Sequence, residues 1–332
     1  MDPRWLRELP KAEVHCHLEG CVPPSLVEDA ARRRGLDPTG APRLPVGDLP
    51  ALLAYLDWSC RLVDSADDLS TIARGVVERS AAAGTRHVDV ICNPTHWGAW
   101  CGRLDEMVAA LDRGFADGEV RWGTTATLCL SVKRTQSAEE AVALVEWILS
   151  ARPPRVSGLS IDGDEAGGTA SHTERFEEAF ARAAAGGLRR CAHAGESSGP
   201  DGVREAVDRL GAERVDHGIR AVEDRRLVGE LAERRVPLDV CPSSNVILGV
   251  VPSLAEHPVA PLLAAGVRVS LNTDDPLLYG VDVPGEYRRC AEQFGWDRTV
   301  LGEVARTSID SCFAAAERRQ ALLAELDRFL GS

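Results

Sequence analysis

Two histidines one residue apart, His15 and His17, close a short apolar run and stand beside Glu19 and Gly20. Alternate side chains of a β-strand share a face, so both imidazoles would point at one place and supply half of a metal site. A third histidine, His193, lies in Cys191-Ala192-His193-Ala194-Gly195-Glu196, and a carboxylate, Asp274, lies in Asn272-Thr273-Asp274-Asp275-Pro276. Three imidazoles and one carboxylate suit Zn²⁺, with a water completing the shell at a catalytic centre. Such a metal lowers the pKa of its water from 15.7 to about 7. Hydrolysis there also needs groups that move protons, and Glu196 and His217 are placed for it. Each residue alone has a plainer reading, as a core histidine, a turn or a helix cap. Their joint occurrence is what points to a site.

These residues need elements to bring them together. Apolar runs predict strands at 12–18, 86–92, 124–131, 156–162, 190–193, 214–217, 237–241 and 267–272. Amphipathic stretches lie between them, with Ser137 and Glu140 as a capping box and glycines at 35, 84, 186, 211 and 266 closing helices. Strands that alternate with helices predict a parallel sheet. His17, Asp162, His193, His217 and Asp274 all stand where a run ends and a loop begins. A (β/α)8 barrel gathers those strand ends on one face, where its active sites lie. An open sheet would seldom bring all five together, so the barrel is the better reading. From His17 to Cys92 there are 75 positions, against 24 to 39 between later strand ends. The surplus, about 36–65, contains a leucine-rich run at 49–58 and predicts an extra helix over the barrel mouth, a lid or a brace. A helical tail at 303–329 is expected to pack outside the barrel. No linker or repeat divides the chain, so residues 1–332 are expected to form one domain.

Bulk properties narrow the function. The 332 residues are 44% hydrophobic and 27% charged, as in a globular enzyme. The net charge of -13 opposes a grip on nucleic acid, and no run is long enough to span a membrane. The ten cysteines form no C-x-x-C pair, and the start shows no apolar core of signal-peptide length. Reduced, buried thiols in a cytoplasmic protein are expected. The composition carries no oligomeric preference.

Taken together, the motifs resemble the adenosine deaminase family of metal-dependent hydrolases. The likeness runs in order through residues 10–20, Gly163-Asp164-Glu165, His193-Ala194-Gly195-Glu196, Asp216-His217-Gly218, residues 241–245 and residues 272–276. The resemblance implies one zinc per chain on His15, His17, His193 and Asp274. It implies that Glu196 protonates N1 of a 6-aminopurine and that His217 orients the attacking oxygen, with ammonia lost and a 6-oxopurine left. The Gly163 N–H would meet N3 and Asp275 would meet N7. Because N7 accepts, Asp275 must be protonated, which predicts a raised pKa.

The chain departs from adenosine-specific members in two places. They carry Asp where Glu19 stands, at the position thought to contact ribose, and an arginine that is missing from Asp89-Val90-Ile91-Cys92-Asn93-Pro94. Glu196-Ser197-Ser198-Gly199-Pro200 resembles adenine deaminases and the aminodeoxyfutalosine deaminases. The expected substrate is adenosine or an adenosine-like nucleoside. Free adenine, aminodeoxyfutalosine or an N6-substituted adenine is the alternative, and a non-catalytic metal-binding paralogue a lower one. A two-metal hydrolase of the phosphotriesterase or dihydroorotase type would need a lysine near Asp162, and Lys11 and Lys133 lie elsewhere. The cytidine-deaminase type would need a P-C-x-x-C that is absent.

Overall fold

The computed structural model describes residues 1–37, 49–165 and 173–331. Eight strands form one parallel sheet in sequence order: β1 (Lys11–His17), β2 (Thr85–Cys92), β3 (Thr125–Lys133), β4 (Val156–Asp162), β5 (Arg189–Ala194), β6 (Arg214–His217), β7 (Leu238–Val240) and β8 (Val269–Leu271). That order, with helices between successive strands, is the (β/α)8 barrel expected. Their apolar side chains, such as Val88 and Val90 of β2 or Leu128 and Leu130 of β3, are buried. Parallel strands covered on both faces need such near-continuous apolar runs. The helix Ala138–Ala151 opens with the Ser137–Glu140 capping box.

Closure of the barrel is unusual. An isolated bridge, Cys16 to Asp274, joins the last strand segment to the first. The rest of the seam is made by the residues after β8. Asn272 Oδ1 accepts from the backbone N–H groups of Val14 (2.8 Å) and His15 (3.3 Å). Thr273 donates its N–H (3.2 Å) and hydroxyl (2.5 Å) to Glu13 Oε1. The His17 N–H donates to Asp274 O at 2.8 Å, and the Asp274 N–H to His15 O at 3.2 Å.

Of the insertion expected at 36–65, residues 38–48 lie outside the described residues, while Leu49–Cys60 is a helix. Leu52 and Leu56 pack from it onto Leu248, with Leu278 and Tyr279 alongside. The tail is two helices, Arg298–Ser311 and Ala316–Leu330, and the first packs on β1 and β8 from outside the barrel, as expected. The break sends Phe313 into the end of the barrel opposite the site, against Ile91, Cys129 and Cys191. A side chain at Gly158 would meet the Phe313 ring at 2.9 Å, so a glycine there leaves room for it.

Arg214, the first residue of β6, is fully buried at the same end. Its guanidinium reaches Asp89 Oδ2 (2.5 Å) and Asp239 Oδ2 (2.9 Å) and donates to the Ser311 and Val14 carbonyls. All ten cysteines are free, and only Cys101 is exposed. Among the described residues no helix is long and apolar enough to cross a membrane.

Candidate active site

The C-terminal ends of the strands bring four imidazoles and a carboxylate to one point. Ring centroids of His15 lie 4.6 Å from those of His193 and His217 and 5.3 Å from that of His17. Ligand atoms of His15, His193, His217 and Asp274 all fall within 4.8 Å of one another, a grouping that could hold a metal ion. His17 joins them: its Nε2 is 3.0 Å from His193 Nε2 and 3.3 Å from Asp274 Oδ1.

The donor set fits a divalent cation. Nδ1 of His15 lies 3.1 Å from the Asp239 carbonyl, and Nδ1 of His193 lies 3.1 Å from the Ile161 carbonyl. A carbonyl only accepts, so each ring donates from Nδ1 and turns Nε2 inward. Burial disfavours a charge on His15, but the neighbouring Cys241, Asp274 and Asp216 outweigh it and hold the His15 pKa well above its usual value. Burial and the neighbouring His193 lower the His17 pKa to about 4, which keeps that imidazole neutral. Burial disfavours the Asp274 carboxylate, but the imidazoles around it hold its pKa well below the usual range. His15 Nε2 is buried with no hydrogen-bond partner, although Asp274 Oδ1 lies 3.1 Å away. Imidazole nitrogens and one ionised oxygen aimed together, with His15 Nε2 left unpaired, form a donor set that suits Zn²⁺.

Backbone strain marks two of these positions. His217 has φ 64° and Asp274 φ 66°, left-handed values that side chains other than glycine seldom adopt. The seam bonds on either side hold Asp274 there, and Ser244 donates its hydroxyl to Asp274 Oδ2 at 2.6 Å. Gly20 makes room for the next residue, because a Cβ on it would lie 2.1 Å from Asp275 Oδ1. Burial, then the adjacent Asp274 carboxylate, push the Asp275 pKa well up, the direction expected.

Glu196 is buried, with Oε1 3.6 Å from His217 Nε2 and without a hydrogen-bond partner. Burial and the Asp274 and Glu165 carboxylates push its pKa well above the usual value. Glu165 sets its backbone. Its Oε2 accepts from the Gly195 N–H (2.8 Å), and its Oε1 from those of Glu196 (2.9 Å) and Ser197 (3.1 Å). The sequence places Glu165 in a motif without giving it that task.

These groups line one cleft of about 480 Å³, part of it open to solvent. Gly163, Glu19 and Asp162 share its wall with His96, and Leu49, Leu52, Leu53, Leu56 and Leu248 supply apolar surface. Such a mixture suits a small flat ligand with a polar edge. Glu19 Oε1 accepts from Trp97 Nε1 (2.7 Å) and from the Asn93 N–H (2.9 Å), while Oε2 is buried without a partner. His96 is held by Asp57 of the lid helix, Nδ1 to Oδ1 at 2.7 Å. Sequence reading passed over His96 and Asp57, because only the fold puts them together.

A family model described as adenosine deaminase matches residues 10–329. An adenine deaminase of Agrobacterium fabrum is 32% identical over 319 residues, which is 95% of this chain and 97% of that one. A solved structure of an adenine deaminase from Arthrobacter aurescens is 31% identical with a TM-score of 0.88, covering 97% of this chain and 99% of the other. A solved amidohydrolase from Burkhoderia ambifaria, with bound Zn, is 30% identical with a TM-score of 0.89, covering 99% and 93%. With barrel, polar cluster and family model coinciding over nearly the whole length, the chain belongs to the adenosine deaminase family, as an aminohydrolase on a (β/α)8 barrel.

Proposed function

We propose that this enzyme hydrolyses the 6-amino group of free adenine, giving the 6-oxopurine and ammonia. The sequence alone favours an adenosine-like nucleoside and keeps free adenine as the alternative. The names of the relatives support the alternative, and one observation carries it. Glu19 Oε2 is a buried acceptor without a partner on the cleft wall. By resemblance, Glu19 stands where the N9 substituent would lie. A free base offers an N–H at N9 itself, whereas a nucleoside has a carbon there and carries its hydroxyl donors further out on the sugar. Satisfying a buried orphan acceptor favours the ligand that brings a donor.

The proposed roles follow the resemblance, with burial and charge in support. His15, His17, His193 and Asp274 would hold one zinc, which when bound supplies a water activated for attack at neutral pH. Glu196, kept protonated by burial and by Asp274, donates to N1 and makes C6 electrophilic. His217 lies beside it and holds the attacking oxygen in line with C6. Asp275, protonated for the same reasons, donates to N7, and the Gly163 N–H meets N3. The leucines of the lid helix cover the ring and exclude bulk water.

The test is ammonia release from adenine, adenosine, 2′-deoxyadenosine, aminodeoxyfutalosine and N6-substituted adenines by the zinc-loaded protein. Adenine should exceed adenosine in kcat/KM by at least about 10²-fold, the discrimination available when a site must satisfy a buried polar group. Faster turnover of adenosine would return the reading to a nucleoside.

A further inference from the structure

His217 differs from His15 and His193 in what holds its outer nitrogen. Those two rings face backbone carbonyls, whereas His217 Nδ1 faces the Asn245 side-chain amide nitrogen at 3.2 Å. Which way that amide is turned is decided two residues further out. Val259 opens the helix Val259–Ala264, so its N–H has no partner within the helix. It donates to His257 Nδ1 at 3.1 Å. A backbone N–H can only donate, so Nδ1 is the acceptor and the neutral ring carries its proton on Nε2. Burial lowers the His257 pKa to about 4, which keeps that ring neutral. His257 Nε2 then donates to Asn245 Oδ1 at 3.1 Å. This turns Asn245 Nδ2 toward His217, where it donates to Nδ1.

We propose that His257 and Asn245 are positioning residues that fix His217 as the Nε2–H tautomer, so that it offers the cleft a donor and not a metal-binding lone pair. By distance alone His217 groups with His15, His193 and Asp274 as readily as a ligand does. The direction of the hydrogen bonds separates it from them. Three histidines turn lone pairs or neutral nitrogens to the metal position, and the fourth keeps a proton next to Glu196. The relay rests on the deaminase reading only for its effect on turnover.

Substituting Asn245→Asp tests the direction. A carboxylate accepts on both sides, so it would demand a proton on His217 Nδ1 and reverse the tautomer. Ring ¹⁵N spectra of ¹⁵N-histidine-labelled, zinc-loaded protein read this directly, with His217 assigned from a His217→Gln sample. The wild type should show a protonated Nε2. The Asn245→Asp protein should show a protonated Nδ1 and lose about 10²-fold in kcat, with KM within a few-fold. His257→Gln, whose amide can donate from the place of Nε2, should keep the wild-type spectrum, and His257→Leu should lose it. If Asn245→Asp does not fold, the His257 pair decides. A wild-type His217 protonated on Nδ1, or a spectrum and kcat indifferent to Asn245→Asp, would overturn the proposal. The expected spectra without turnover of any purine would sustain the relay and sink the deaminase reading.

Discussion

Glu196 and Asp275 are two carboxyl groups buried beside a third, Asp274, and their surroundings drive them apart from it. Asp274 is held ionised by the imidazoles around it, whereas burial and its charge keep the other two protonated. Glu196→Gln keeps the shape but removes the transferable proton. It should retain the metal and lose about 10²-fold or more in turnover, measured as ammonia release beside metal content. Because the proposed role needs the acid form of Glu196, turnover should fall as pH rises through its elevated pKa. Glu19→Asp retracts the carboxylate by one methylene from Trp97 and Asn93. The adenosine-to-adenine ratio of kcat/KM should rise in that variant, and an unchanged ratio would place N9 selection elsewhere. At this scale much was legible. His15, His17, His193, Glu196, His217, Asp274 and Asp275 could be named because strand alternation and strand ends are local patterns. Glu165, Asn245 and His257 act through partners distant in sequence, so only the fold gives them work.

At the scale of elements, all eight strands were visible as apolar runs, and their ends moved by only a few residues. The surplus before β2 was visible as length, and its helix Leu49–Cys60 does line the cleft. The one inward contact of the tail was hidden for a physical reason. Phe313 reads as one more apolar residue in a helical stretch, and nothing local says that Gly158 leaves a space for it across the barrel. The seam was equally hidden, since Asn272 looks like an ordinary strand terminus. Its side chain accepts two β1 backbone N–H groups in the core, and removing it leaves both unsatisfied. Asn272→Ala should cost about 2–6 kcal/mol, given roughly 1–3 kcal/mol for each of the two buried groups left unpaired. It should also weaken zinc binding by about 10- to 100-fold, as loss of a ligand's support commonly does. Urea unfolding and metal competition measure the two effects, and an unmoved zinc affinity would detach the seam from the site.

At the scale of the whole molecule, the barrel carries charge at both ends of its interior. Opposite the catalytic cluster, Arg214 is closed in by Asp89, Asp239 and Phe313, with the guanidinium carbon 3.7 Å from the ring centroid. Burial alone would raise the Asp89 pKa, but Arg214 and His87 hold it far below the usual range. A carboxyl depressed in the folded state stabilises the fold fully above its unfolded pKa of about 3.9 and progressively less as pH falls below that. Asp89→Asn leaves Arg214 with Asp239 alone, a carboxyl that burial pushes up to about 7, and should cost about 3–5 kcal/mol at pH 7. That deficit should shrink below about pH 4, where Asp89 of the unfolded wild-type chain takes up its proton while the native one stays ionised. Thermal unfolding of both proteins between pH 7 and pH 3 checks it, and parallel curves would mean that the pair contributes nothing. Neither Arg214 nor Asp89 announces this pairing in sequence. The seam has a consequence in time as well as in space. The residues proposed to hold the metal run from the first strand, through His193 of β5, to just beyond the last strand, so a growing chain carries an unfinished centre through nearly all of its synthesis. Chemistry arrives only when the final strand docks, and assembly of the enzyme and the onset of its reactivity become a single event.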